Sequence, residues 1–242
     1  MFRQAVFGFL VLFLGAFPAG GEQPARPLAN FDKAKVVARD SIYADRRIDY
    51  YCSCSYTPKN ASGGVIDKAS CGLVSSSSIA TRLDWEHVVP AWFFGNKRSC
   101  WAKVGCKPGV EGRECCERTD PEFKQVEADL HNLVPSVALL NVVRSNHAYG
   151  MVEGDPRKYG RCEFEIGGNP KRVEPPQSVR GDLARVWLYM IDTYGVEVTE
   201  ADLAVLKLWS LADPVDEWER LRDRRIEAAQ GNFNPYVRNA AP

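Results

Sequence analysis

The stretch Asp84-Trp85-Glu86-His87-Val88-Val89-Pro90-Ala91-Trp92 decides how this chain is read. Residues 82–87 read as a short strand, which Val88-Val89-Pro90 stops because proline lacks the amide a ladder needs. Neighbouring strand side chains point to opposite faces. At the strand end, Glu86 and His87 therefore project to different sides, one toward a metal and the other toward a substrate. Glu-His pairs are common, so the weight falls on what surrounds this one.

Downstream, residues 129–134 read as a second short strand. Pro135-Ser136 then reads as the opening of a helix running through Asn141 to about Asn146. A Glu86 carboxylate with an Asn141 carbonyl oxygen is a hard-oxygen pair that suits Mg²⁺, which keeps waters and takes further ligands from a substrate phosphate. Neutral His87, with an ordinary pKa of about 6.5, can take a proton from water near neutral pH. Lys97, Arg98, Lys103, Lys107, Arg113, Arg118 and Arg144 lie nearby in sequence. Singly each reads as solvated surface; together, beside such a set, they are expected to face phosphate. Only three histidines occur, His87, His131 and His147, and a lone histidine is more often structural than catalytic.

Outward from this block, Asn30 is placed to cap a helix over about 31–44. Residues 49–72 look like a Cys-rich loop and 75–78 like a solvated turn. Residues 91–128 look like a large excursion held by covalent links rather than by a core. Leu183, Val186, Trp187, Met190, Ile191 and Tyr194 form a helical apolar stripe. Thr199 and Asp202 resemble a capping box for a helix ending before Pro214, and a last amphipathic helix runs over about 215–230, stopped by Gly231. The aromatic and leucine residues of these helices are read as core. No fixed period of similar segments recurs, so solenoids and propellers are not expected. The expected class is α+β, mostly helical, with a few short strands in the middle.

The 242 residues carry 31 basic and 31 acidic side chains. A formal charge of zero argues against holding a polyanion through a global basic field, but not against a local basic groove. Residues 1–21 read as a cleaved secretory signal: Arg3, an apolar run over 5–17, then Ala19-Gly20-Gly21. The run is too short to span a bilayer. Its removal takes away Arg3 and no acid, leaving a net charge of −1. All eight cysteines, Cys52, Cys54, Cys71, Cys100, Cys106, Cys115, Cys116 and Cys162, remain. An even number in an exported chain reads as disulfides whose pairing spacing alone leaves open. Adjacent Cys115 and Cys116 are expected to bond to two different partners. A rival reading, a zinc hydrolase using Glu86, His87, His131 and cysteine ligands, lacks the usual spacings: the residue four after His87 is Ala91, so there is no HExxH.

Four separated stretches, in order, resemble the endonuclease I family of periplasmic and secreted nucleases. They are Tyr51-Cys52-Ser53-Cys54-Ser55-Tyr56, the Asp84 to Trp92 stretch, Asp129-Leu130-His131-Asn132-Leu133-Val134-Pro135-Ser136 with Asn141 and Arg144-Ser145-Asn146, and Gln230-Gly231-Asn232-Phe233-Asn234-Pro235-Tyr236. The resemblance implies a ββα-metal (His-Me finger) hairpin–helix motif inside a disulfide-stabilised α+β domain spanning 22–242. It implies Glu86 and Asn141 as ligands of one Mg²⁺, His87 as general base, and Arg113, in Gly112-Arg113-Glu114-Cys115, as the phosphate contact. Glu127 is a supporting candidate. The expected activity is sequence-nonspecific hydrolysis of DNA, and of RNA, to 5′-phosphate ends by a periplasmic or secreted monomer with no membrane insertion. A catalytically dead nucleic-acid-binding protein on the same scaffold is the other reading.

Overall fold

Residues 82–87 do form a strand, and the chain is assembled around it. The computed structural model describes residues 28–60, 62–102, 104–154 and 156–240; the expected signal segment lies outside them. Helix α1 (Phe31–Val37) starts at Asn30, whose side chain accepts from the Lys33 amide at 3.0 Å, and widens into π turns over Ala38–Ile42. Strands β1 (Tyr56–Lys59) and β2 (Gly63–Ile66) form an antiparallel hairpin, followed by the short helix α2 (Lys68–Cys71). This corrects the loop expected over 49–72: Pro58 and Gly63-Gly64 carry turn signals, yet both glycines sit in a strand. At Gly64 a Cβ would lie 3.0 Å from both the Leu83 side chain and the Thr57 carbonyl, so the close approach of strands there demands glycine.

Strand β3 (Arg82–His87) pairs with β2 on one side and with β4 (Leu133–Val137) on the other, giving the sheet order β1-β2-β3-β4. Here the expected boundaries move. Residues Leu130–Asn132 form a 3₁₀ turn, the strand begins at Leu133, and Pro135 and Ser136 lie within it instead of opening a helix. Proline is tolerated because β4 is an edge strand of this sheet, where one row of amides has no ladder partner. The outer Pro135 carbonyl accepts from the Tyr50 amide at 2.8 Å.

The excursion between β3 and β4 is helical: α3 (Ala91–Gly95), α4 (Gly112–Thr119) and α5 (Pro121–Glu127). It does own core, contrary to expectation, since Phe94, Phe123 and Val126 are buried in the main apolar cluster. Covalent links are there too, Cys100–Cys116 and Cys106–Cys115, so the adjacent cysteines bond to different partners; Cys52–Cys162 and Cys54–Cys71 complete the set. Replacing Cys100 and Cys116 with serine is expected to cost about 3 kcal/mol, the loop-closure value for a link of this span. Urea unfolding with and without the bridge measures it, and an unchanged midpoint contradicts the assignment.

Helix α6 (Ala138–Arg144) leaves β4 directly and packs on β3. A three-stranded sheet unseen in the sequence, β5 (Ala148–Tyr149), β6 (Glu165–Gly167) and β7 (Arg172–Glu174), has the order β5-β7-β6. Helix α7 (Arg180–Tyr194) buries the expected stripe through Leu183, Val186, Trp187 and Met190, with Ile191 and Tyr194 partly covered. Helix α8 (Glu200–Ala212) is capped by Thr199, and α9 (Glu217–Gln230) by Asp216 in a reciprocal box with Glu219; Gly231 ends α9 at φ 88°. Helix α10 (Pro235–Arg238) closes the described chain.

Candidate active site

Two side chains hold the end of β3. His87 lies opposite Leu133 and Glu86 opposite Val134. Beyond the last strand pair the ladder is continued by a side chain. Buried Asn132 accepts from the Val89 amide at 2.7 Å and donates to the Val89 carbonyl at 2.9 Å, imitating a backbone partner just before Pro90. Arg144, at the end of α6, is completely buried. It donates to the His87 carbonyl at 3.0 Å and to the Val88 carbonyl, with its Nε 3.7 Å from Glu86 Oε1. The strand terminus is thus held from both sides.

On one face of β3, His87 Nε2 lies 2.8 Å from the Glu127 backbone carbonyl at the end of α5. A carbonyl only accepts, so Nε2 carries the proton and Nδ1 keeps the lone pair. The ring packs on Phe31 of α1 at 4.7 Å and on Phe94 at 6.2 Å. Burial, with the Arg113 cation beside it, pushes the imidazole pKa down to about 3. His87 is therefore neutral at neutral pH. Arg113, from α4, bonds through Nε to the Glu127 carboxylate at 2.6 Å and lies 3.0 Å from Glu117; its guanidinium stacks on Phe31 at 4.9 Å. Burial pushes Glu127 up to about 7, against the pull of Arg113. Glu127 thus anchors His87 by its backbone and Arg113 by its side chain.

On the other face, Glu86 is buried to 1% exposure. Its Oε1 accepts from the Tyr51 hydroxyl at 2.7 Å, whereas its Oε2 is buried with no hydrogen-bond partner. Burial raises the Glu86 carboxyl above its ordinary pKa, and the Arg144 cation with the Tyr51 and Ser136 hydroxyls only partly opposes this. A buried carboxylate with one bare oxygen fits a cation. Asn141, three residues before Arg144 in α6, carries the other hard oxygen that could serve such a cation. It lines a cleft of about 660 Å³ together with Phe31, Lys35, Lys59, Arg82 and Arg113. His87 lies behind the Phe31 and Arg113 wall of that cleft, 7% exposed.

Most of the expected cation cluster goes elsewhere. Arg98 pairs with Asp120 and Glu122, Arg118 with Glu114, and Lys97 with Glu197; Lys107 is exposed and Lys103 lies outside the described residues. Arg144 binds carbonyls, not solvent. Of the seven, Arg113 alone lines the cleft, whose other cations, Lys35, Lys59 and Arg82, the sequence reading passed over. Tyr51 stands in a quoted motif that assigns it no role, and Phe31 falls inside the helix expected over 31–44 with nothing local to mark it as part of a site.

His131 is structural: buried, its ring tilted against Tyr189 at 4.6 Å, its Nε2 3.3 Å from the Asn232 carbonyl. The adjoining Asp129 accepts from Tyr189, Tyr194 and Gln230, so the 230–236 motif steadies the turn that presents Asn132. The only cluster of candidate metal ligands among the described residues outside this region, Asp49 with Cys52 and Cys54, has both sulfurs in disulfides. All eight cysteines are oxidised, which removes the thiolates that the zinc reading required.

A buried neutral imidazole and a buried carboxylate thus share one strand end, next to a cleft that Arg113 and Asn141 line, on a disulfide-linked α+β scaffold. The family model for endonuclease I matches residues 32–241. The chain is 37% identical over 214 residues to an endonuclease-1 of Buchnera aphidicola, covering 88% of this chain and 82% of that protein. It is 36% identical over 231 residues to an extracellular deoxyribonuclease of Aeromonas hydrophila (88% and 97%), and 35% identical over 201 residues to a periplasmic deoxyribonuclease of the same organism (81% and 80%). The chain belongs to the endonuclease I family. Among the described residues no helix is long and apolar enough to cross a membrane.

Proposed function

We propose that this protein is an exported, Mg²⁺-dependent endonuclease that hydrolyses DNA and RNA without sequence preference. The β3–β4–α6 unit is read as a ββα-metal (His-Me finger) motif, and residues 22–242 as one monomeric nuclease domain acting in the periplasm or outside the cell. The observation that supports this is at one strand end: on one face an imidazole with Nε2 committed to the Glu127 carbonyl and Nδ1 left with its lone pair, on the other a carboxylate whose Oε2 makes no hydrogen bond.

In this reading His87 Nδ1 takes a proton from a water molecule. The resulting hydroxide adds to phosphorus in line with O3′, the P–O3′ bond breaks, and O3′ leaves with a proton from solvent. The products are a 3′-hydroxyl and a 5′-phosphate. Arg113 bonds its carboxylate partners through Nε, which leaves its terminal nitrogens to bind the phosphoryl oxygens. Mg²⁺, when held by Glu86 and Asn141, supplies positive charge against the charge that develops on the phosphate. The cleft offers side chains for phosphate and sugar, contacts that carry no direct base information. Both nucleic acids therefore qualify.

The test is plasmid DNA and a transcribed RNA incubated with protein in Mg²⁺ and in EDTA. Cleavage of both in Mg²⁺, none in EDTA, and 5′-phosphate ends on the products are expected. A plasmid left intact in both but shifted on a gel establishes the catalytically dead binder instead. Asn141→Ala should cleave slowly in low Mg²⁺ and partly recover as Mg²⁺ is raised; an unaltered Mg²⁺ dependence removes Asn141 from the metal site.

A further inference from the structure

The Tyr51 hydroxyl does more than fill space beside Glu86. It donates to Glu86 Oε1 at 2.7 Å and lies 2.6 Å from the Tyr149 hydroxyl. A phenol has one proton. Since Tyr51 spends its proton on the carboxylate, which only accepts when ionised, the short contact is Tyr149 donating to Tyr51. The Arg144 guanidinium in turn lies over the Tyr149 ring at 4.9 Å. All four residues are buried to 4% exposure or less. Their elements are joined covalently or by short connections: Cys52, next to Tyr51, is bonded to Cys162, and Tyr149 follows α6 in β5. Phenol, phenol and carboxylate form a directed chain in which each hydrogen bond polarises the next.

The consequence is geometrical. With Oε1 taken from behind by a buried phenol, rotation of the carboxylate is restrained, and Oε2 is the oxygen that meets no donor at hydrogen-bonding geometry. We infer that Tyr51 and Tyr149 are positioning residues that make Glu86 a ligand through a single oxygen and set the affinity of its cation site. The inference rests on Glu86 being a metal ligand, as proposed above. Tyr51 owes its place to the motif Tyr51-Cys52-Ser53-Cys54-Ser55-Tyr56, for which the proposed chemistry otherwise has no use, and the Cys52–Cys162 link accounts for the cysteine beside it.

The experiment compares wild type with Tyr51→Phe, Tyr149→Phe and Tyr236→Phe. Each variant removes a hydroxyl and keeps a ring; the Tyr236 hydroxyl bonds Asp192 and serves as control. Mn²⁺ binding without nucleic acid is followed by the electron paramagnetic resonance of free Mn²⁺, and plasmid cleavage over a Mg²⁺ titration. Tyr51→Phe is expected to weaken Mn²⁺ binding about tenfold, the lower end for loss of a residue that orients a ligand, and to raise the Mg²⁺ requirement in parallel. Tyr149→Phe should move both in the same direction by less, and Tyr236→Phe should move neither. If wild type neither binds Mn²⁺ nor cleaves, the nuclease reading itself fails. If wild type does both and Tyr51→Phe retains wild-type Mn²⁺ affinity, the positioning role is wrong while the nuclease reading stands. Should Tyr51→Phe lose the cooperative thermal transition of wild type, Tyr149→Phe decides alone: unshifted binding overturns the inference.

Discussion

His87→Ala is expected to lower the rate of plasmid nicking about 10²–10⁴-fold, the usual loss when a positioned proton acceptor is removed. Alanine keeps the strand and the carbonyl that Arg144 grips, so the loss arises at the ring. Nothing else near that position replaces it: Glu127 is tied to Arg113, and Glu86 faces the opposite side of β3. Mn²⁺ binding and the gel shift with plasmid should remain near wild type. Single-turnover cleavage at saturating Mg²⁺, with far-ultraviolet circular dichroism to check the fold, measures the effect. Wild-type turnover in the variant contradicts the role of His87 as base.

The second large effect is on stability. Arg144→Ala removes the only cation within reach of Glu86 among the described residues and deprives the His87 and Val88 carbonyls of a donor in a fully buried setting. Breaking a buried pair by deleting one partner typically costs about 3–5 kcal/mol, because the charge left behind cannot reach water. Urea denaturation should show a loss of that size. Arg144→Lys should recover part of it, since a single ammonium cannot span both carbonyls and the carboxylate. A loss below about 1 kcal/mol, the level of an exposed ion pair, contradicts the clamp.

How much of this was legible varied with the range of the signal. The strand at 82–87 and its stop were readable because alternation and Pro90 are local, and the caps at Asn30, Thr199 and Gly231 for the same reason. Pro135 misled: read as a helix opener, it sits in an edge strand, and whether a strand is central or at the edge is a property of the sheet. The β1–β2 hairpin hid behind its own glycines, which are there for close packing against Leu83. Glu86, His87, Arg113 and Asn141 were found as residue types in a familiar order. The direction each faces was not, because Tyr51, Tyr149 and Phe31 reach the site from other parts of the chain and carry no local mark of it. Arg144 shows the limit best. A basic residue at the end of a short helix reads as surface, and only the assembled fold turns it inward.

Phe31 has a practical bearing on how the protein is handled. It touches both His87 and Arg113, yet it stands at the very start of α1, three positions after Leu28. A purification handle is therefore better joined at the carboxyl end, beyond α10, which packs on α7 and α9, than ahead of a helix whose first residue touches both side chains. Recombinant versions are best labelled at the carboxyl end.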